Sequence, residues 1–430
     1  MVNTTQLRPR AGRLRSPSRQ TPNGLPRLLA LASIVALTLV ASAPAGSQTL
    51  TVLHNFAGPP NDGDYAFGGL AMDGAGNLYG TTLEGGKNDT CSGFTGCGTA
   101  FELDASSNET VLYNFSGPDG SEPIGSLTID ANGILYGTTE FGGYTRGCDC
   151  GTVFKIDGDG ETVLHRFTGA DGAVPSSGVI VGPSGGIYGT ASEGGPTGNG
   201  VVFKVEAGKE TVLYPFTGQA DGAEPIGGLT ADTRGNLYGT TAYGGNLDDC
   251  DGTGCGVVFE LTGTQETVLH AFKNPPDGGT PVANLLMDAN GDLYGTTRNG
   301  GEPYKTGTVF KVGPDDQEHV LHRFTVNQHT GSAPKGIYPI TGLARDAQGN
   351  LYGTTEEGGS SGYGVAYEIT TAGVEKVLHN FCTAGCQDGS HPNSLIIDGQ
   401  GNLYGTTTGG GAYGFGTIFK ISTVPVSDAP

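Results

Sequence analysis

The chain has 430 residues, of which 78 are Gly and 24 Pro, a density of turn-forming residues about twice the average for proteins. Charged residues are only 15% of the chain, yet 43 acids face 22 bases and leave a net charge of −21. That balance argues against a nucleic acid as partner, which needs a basic surface to displace phosphate counterions, and against docking on anionic lipid.

Six arginines (Arg8, Arg10, Arg13, Arg15, Arg19, Arg27) and no acids precede an apolar run at residues 28–40, and Ala43-Pro44-Ala45 follows. A basic region, a short apolar core and a small-residue exit read as a secretory signal peptide over residues 1–45. A membrane anchor is the weaker reading, since it needs about 20 apolar residues. The expected mature chain is exported, still more acidic, and has no further stretch able to span a bilayer.

From there a repeated phrase organises everything. Leu-Tyr-Gly-Thr-Thr, or a near copy, places Tyr at 79, 136, 188, 238, 294, 352 and 404. Four short segments surround each copy; in the second they are residues 126–130, 134–139, 151–156 and 161–167. They are rich in Val, Ile, Thr, Tyr and Phe and bounded by Gly, Asp or Asn, as strands are, and none shows helical periodicity. Seven copies of four strands predict an all-β fold, a seven-bladed β-propeller of four-stranded antiparallel blades over residues 46–421. Residues 422–430 remain as a short tail. An orphan outer strand at 49–56 opens the array, and three strands at 394–398, 402–407 and 416–421 end it without an outer one. The N-terminal strand should therefore complete the last blade and close the ring, leaving only short edges.

Within the copies, Gly after Tyr fits the close approach of a neighbouring blade's backbone. The aspartates six residues before Tyr (Asp73, Asp130, Asp232, Asp288, Asp346, Asp398) suit Asx turns, with metal ligation as the alternative; the third copy has Gly182 there. His54, His165, His270, His322 and His379 share one outer-strand position with Tyr113 and Tyr214. Blades splay apart there, so these imidazoles should not meet around one ion at the roughly 2 Å a metal–nitrogen bond requires. They read as packing residues.

Eight cysteines form four local pairs, Cys91/Cys97, Cys148/Cys150, Cys250/Cys255 and Cys382/Cys386. In an exported chain these read as disulfides; zinc would need pairs from different repeats to converge. Three pairs fall between second and third strands and one after a fourth strand, which in antiparallel blades is the same face. The other face keeps uniform Asp/Gly hairpins. Acid gathers on the stapled face too. Asp-Gly follows the fourth strands at Asp62, Asp119, Asp171, Asp221, Asp277 and Asp388, with Glu122 and Glu224 nearby. Glu84, Glu193 and Glu357 stand before the Gly-Gly after second strands, with Phe141, Tyr243 and Asn299 in matching places. Pre-formed loops on a rigid scaffold are where binding residues concentrate. Glu84, Glu193, Tyr243 and Glu357 are therefore expected at a binding surface. Asp119, Asp171, Asp221 and Asp277 are expected as ligands of Ca²⁺, the one cofactor such oxygens would suit; a solvated rim of turns is the alternative. Between Phe324 and Gly342 the Asp-Gly is missing and His329, Lys335 and Tyr338 appear instead, a break in the pattern that points to a site.

No His-Glu-x-x-His zinc motif and no P-loop is present. Gly409-Gly410-Gly411-Ala412-Tyr413-Gly414 matches a dinucleotide fingerprint but leads into a strand, so no helix N-terminus awaits a phosphate. Asp157-Gly158-Asp159-Gly160 lacks the terminal Glu of a calcium loop. The recurring G-N-L-Y-G-T-T-x-x-G-G … G-x-V-F-K, carried by residues 76–86 with 98–103 and by 235–245 with 256–261, resembles the GloVer tandem-repeat family of exported bacterial proteins. That resemblance covers nearly all of residues 49–421. It implies a surface or secreted location and brings no catalytic residues. Members often carry a C-terminal sorting anchor, for which residues 422–430 are too short. The expectation is a monomeric, extracytoplasmic binding module for a glycan, polysaccharide or protein partner. A hydrolase or lyase at the channel mouth, using His329, Tyr338 and Glu357, is the second reading, and a ligand-free spacer the third.

Overall fold

A computed structural model describes residues 48–422, apart from 88–89, 92–93, 145–146, 274–275, 302–305 and 328. The expected signal peptide and the tail beyond Ser422 lie outside the described residues. Every copy of Leu-Tyr-Gly-Thr-Thr becomes the second strand of a four-stranded antiparallel blade, and seven such blades form a seven-bladed propeller, the last gaining an extra short strand, Ser390–Pro392. Blades are numbered here in the order of those copies. Blade 2 shows the pattern, with strands Thr128–Ile129, Leu135–Thr139, Thr152–Asp157 and Gly160–Arg166 from channel to rim. One turn of 3₁₀ helix, Cys250–Gly252, is the only helix among the described residues. Blade 7 is completed as expected: Thr49–Asn55 pairs antiparallel with Thr417–Ser422.

Wherever a copy keeps its hairpin aspartate, the carboxylate accepts backbone N–H groups as an Asx turn does; Asp73 takes those of Ala75 and Asn77, both at 2.9 Å. The glycine after Tyr has a different reason from the one expected. Gly80, Gly137 and the five others lie opposite an aromatic residue of their own third strand, as Gly137 lies opposite Phe154. A Cβ on Gly137 would come within 2.7 Å of that ring. The glycine makes room for a ring of its own blade rather than for a neighbour's backbone.

Those rings build the core. The Phe ending each fourth strand reaches the next blade and packs edge-on against its third-strand aromatic: Phe56 on Phe101, Phe115 on Phe154, and so on to Phe381 on Phe419. Centroids are 5.0–5.3 Å apart in all seven, a separation aromatic pairs prefer. The buried residues accordingly fall into seven clusters, each shared by two blades. Nearer the channel, the first threonine of each Leu-Tyr-Gly-Thr-Thr copy donates its hydroxyl to a backbone carbonyl of the next blade. Thr81 bonds Gly125, Thr138 bonds Ser177, and Thr406 closes the circle on Gly68, all at 2.6–3.4 Å.

The outer junctions carry polar chemistry. There the His or Tyr of one fourth strand meets the Asp of the following Asp-Gly loop and a Glu from the next blade's fourth strand. Burial pushes Glu109, Glu161, Glu210, Glu266 and Glu318 each up to about 7, and the junction aspartate adds to it. A carboxyl whose folded pKa is raised holds a proton that the unfolded chain releases. The stability it contributes is complete below about 4.5, the ordinary Glu value, and is lost as pH rises towards 7. In metal-free buffer the urea midpoint should therefore be higher at pH 5 than at pH 8, and Glu→Gln at these five positions should flatten the difference. A midpoint that rises between pH 5 and 8 would contradict the assignment.

Deleting residues 46–58 should open the ring, because it removes the closing strand together with Phe56, which is fully buried. Loss of one buried Phe side chain alone costs about 3–5 kcal/mol. The truncated chain is expected to melt well below the intact one and to self-associate through the bared edge of Thr417–Ser422. Unchanged melting and monomeric elution would refute closure by this strand.

Candidate functional site

The loop entering each blade and the loop after its second strand meet on one face. They are joined by isolated bridges such as Ser121 with Phe141, Ala173 with Glu193, Ala223 with Tyr243 and Ile337 with Glu357. The next residue of the entering loop adopts a left-handed backbone in every blade: Tyr65, Glu122, Val174, Glu224, Thr280, Tyr338 and His391, with φ between 53° and 60°. Such a conformation costs of order 1–3 kcal/mol in a non-glycine residue and persists only where its surroundings enforce it. Here they do. Each donates its N–H to a carbonyl of the preceding blade, from Tyr65 to Phe415 (3.2 Å) round to His391 to Tyr363 (2.9 Å). In blades 2, 3 and 5 the acceptors are Cys97, Cys150 and Cys255. These belong to three of the four disulfides, Cys91–Cys97, Cys148–Cys150, Cys250–Cys255 and Cys382–Cys386. The staples thus fix the carbonyls that hold the mouth loops.

Inside this ring, all seven blades line a cavity of about 500 Å³ at the channel mouth. Its charged lining is Glu140, Glu193, Glu224, Glu356 and Arg298, with Phe67 at the edge and Ser176, Ser192, Asn284 and Asn393 between. Arg298 bonds Glu356 (3.2 Å) and lies over the ring of Tyr338, 5.2 Å from its centroid. Among the described residues, Glu140, Glu193 and Glu224 have no such cation. Burial raises Glu140 to about 7, reinforced by Glu193, and burial followed by Glu193 also raises Glu224. The mouth offers a cluster of carboxyl groups, of which Glu140 is partly protonated near neutral pH, beside hydroxyls, amides and an exposed aromatic ring.

Of the residues expected at a binding surface, Glu193 lines this cavity and Glu84, Tyr243 and Glu357 do not. The preceding position does so instead, as Glu140, Ser192, Arg298 and Glu356. Successive strand residues point to opposite sides, so a one-residue slip separates the repeat position read from the sequence from the one facing the channel. Glu84 lies opposite Asp64 in a two-residue ladder; burial and then the Glu84 charge push Asp64 up to about 7. Tyr243 is 37% exposed on the rim.

The pattern-breaking loop does not assemble a catalytic group. His329 is exposed in a turn where Asn327 Oδ1 accepts its N–H, Tyr338 lies under Arg298, and Lys335 turns to the outer junction, 3.4 Å from Glu375. The four aspartates expected to converge are likewise dispersed. Asp119 bonds Tyr113 (2.5 Å), Asp171 faces His165 (3.2 Å), Asp221 bonds Tyr214 (3.1 Å) and Asp277 bonds His270 (2.9 Å), each at its own blade junction. They sit too far out along the blades to share one ion.

No curated protein matches the chain in sequence. Among solved structures, the fold is similar to that of a fungal alcohol oxidase in complex with copper, at 14% identity over 89% of this chain and 77% of that one, with a TM-score of 0.51. It is also similar to a gluconolactonase from Xanthomonas campestris, at 14% identity over 88% of this chain and 90% of that one, with a TM-score of 0.43. At such identity the likeness is one of fold. The signature of the Gloeobacter/Verrucomicrobia repeat matches residues 38–180, 90–254, 148–338 and 329–427. These overlapping matches span all seven blades, and the chain belongs to the Gloeobacter/Verrucomicrobia repeat family.

Proposed function

We propose that the protein is an exported binding module that holds a neutral or amine-bearing glycan at its channel mouth. One observation supports this above all: Glu140, Glu193 and Glu224 converge with the exposed ring of Phe67 in a single polar cavity. Carboxyl groups accept sugar hydroxyls, an aromatic face covers the apolar side of a pyranose, and a few placed polar groups in a concave site fix orientation. The same acids disfavour uronic-acid polymers, whose charge they would repel. Export rests on the N-terminal pattern and on the disulfides, which persist in oxidising compartments.

A hydrolytic reading draws on Glu140, held near neutrality beside a second carboxylate, Glu193, since a raised carboxylic acid paired with another acid is how sugars are cleaved. The binding test separates the two. A thermal-shift screen against neutral, amino and acidic oligosaccharides should find stabilisation by members of the first two classes only. A ligand at 100 times its Kd adds about 2.7 kcal/mol. Phe67→Ala and Glu140→Gln should abolish the shift, whereas Glu84→Gln, outside the cavity, should leave it intact. Cleavage of the bound sugar would favour the hydrolytic reading. A shift that survives both cavity substitutions, or none with any sugar, would overturn the assignment to this site.

A further inference from the structure

The seven outer junctions are variants of one arrangement, and their differences are informative. Two carboxylates and one aromatic residue meet at five of them. The aromatic residue is histidine in His54/Asp62/Glu109, His165/Asp171/Glu210 and His270/Asp277/Glu318, where one nitrogen and two carboxylate oxygens lie within 4.8 Å of one another. It is tyrosine where Tyr113 meets Asp119 and Tyr214 meets Asp221. The two remaining junctions depart in opposite ways. Between blades 5 and 6 the aspartate is missing and the Lys335 ammonium stands 3.4 Å from Glu375 Oε2, with His322 Nε2 3.1 Å from the same oxygen. Glu375 is only 1% exposed there. Between blades 6 and 7 the glutamate position is Leu50, and His379 and Asp388 close to 2.7 Å.

We propose that the three histidine junctions with both carboxylates are sites for a first-row divalent transition-metal ion such as zinc, each held by its His Nε2, its Asp and its Glu. Three features carry this, independently of the channel mouth. The first is that Lys335 already puts a cation against the one glutamate whose aspartate partner is lost. The second is unmet bonding. The Oε1 atoms of Glu109, Glu210 and Glu318 are shut off from solvent without a hydrogen-bond partner among the described residues, as are those of Glu161 and Glu266; only at the first three does a histidine nitrogen stand by to complete a ligand set, and His165 Nε2 is itself unmet apart from its 3.2 Å approach to Asp171. The third is spacing. Ligands about 2 Å from a tetrahedral zinc stand about 3.3 Å apart; His54–Asp62 and His165–Asp171 are 3.3 and 3.2 Å, while His270–Asp277 is closer, at 2.9 Å. Where Leu50 replaces the glutamate, His379 and Asp388 are at 2.7 Å, shorter than the pair at any of the three sites. In two sites the far carboxylate oxygen is anchored by backbone: Asp171 Oδ1 accepts from Thr168, and Asp277 Oδ1 from Lys273 and Gly278. That leaves Oδ2 for the ion. The imidazole nitrogen selects a transition metal over Ca²⁺, and histidine side chains 15–18% exposed let solvent supply a fourth ligand.

Chelator-stripped protein titrated with Co²⁺ should bind three ions per chain and develop the visible absorption of low-symmetry cobalt, which Zn²⁺ then bleaches. His54→Tyr, His165→Tyr and His270→Tyr copy junctions that this fold already builds with tyrosine. Each should remove one ion and the triple variant all three, with far-UV circular dichroism unchanged. Glu109→Gln, Glu210→Gln and Glu318→Gln together should do the same by a different route. Glu161→Gln and Glu266→Gln, at the tyrosine junctions, should leave three. No cobalt uptake, or uptake that persists in both triple variants, would overturn the proposal and leave the junctions as proton-sharing carboxyl pairs.

Discussion

The ring depends on a hydroxyl that leaves its own blade. The first threonine of each Leu-Tyr-Gly-Thr-Thr copy is nearly fully buried and spends its proton on a carbonyl of the next blade. That carbonyl sits beside the channel, where the short first strand, two residues long in each blade, supplies little ladder of its own. Left unpaired it would cost about 1–3 kcal/mol. Valine has nearly the shape of threonine but no proton to give, so strand propensity alone does not explain a Thr there. Seven such bonds hold the innermost strands in one circle. The threonine that follows stays within its blade, as Thr82 does with Thr99 at 2.8 Å.

Outward from that circle the requirements change with radius. Where blades are close, bonds between backbone and threonine suffice. At mid-radius the gap is filled by paired aromatic rings. At the rim, blades have diverged enough to admit carboxylates and imidazoles, and it is there that copies differ most in charge. The channel mouth follows another rule. Its seven left-handed residues are held by main-chain bonds that any side chain permits, so Tyr65, Glu122, Val174, Glu224, Thr280, Tyr338 and His391 occupy equivalent backbone positions. Shape is conserved around the ring while chemistry is free to vary.

Fold was legible because its signals are local and repeated seven times. The blade count came from one pentapeptide, the closure from counting strands at the two ends, and the disulfides from cysteine spacing. The sites were less legible because they depend on which side of a strand a residue faces and on what the next blade brings. Glu193 and Glu140 occupy neighbouring repeat positions, and both line the mouth; only the pairing register reveals that the earlier position is the one used round the ring. The junction glutamates stood in plain sight at the start of each Glu-Thr-Val-Leu strand. Their partners lie about a repeat earlier in the chain, beyond the reach of any spacing rule. The one available signal was Leu50, an apolar residue at a position otherwise acidic, in the strand whose junction lacks the third ligand.

The closing strand has a geometric corollary. Thr49 and Ser422 are register partners at the end of blade 7 that bears the uniform hairpins, so the chain enters and leaves the propeller side by side, on the face turned away from the channel mouth. Anything joined directly at Thr49 or Ser422, whether a solid support, a fluorescent protein or a second domain, would hold the ring like the stem of a cup. The cup's opening would stay directed outward whichever end were held.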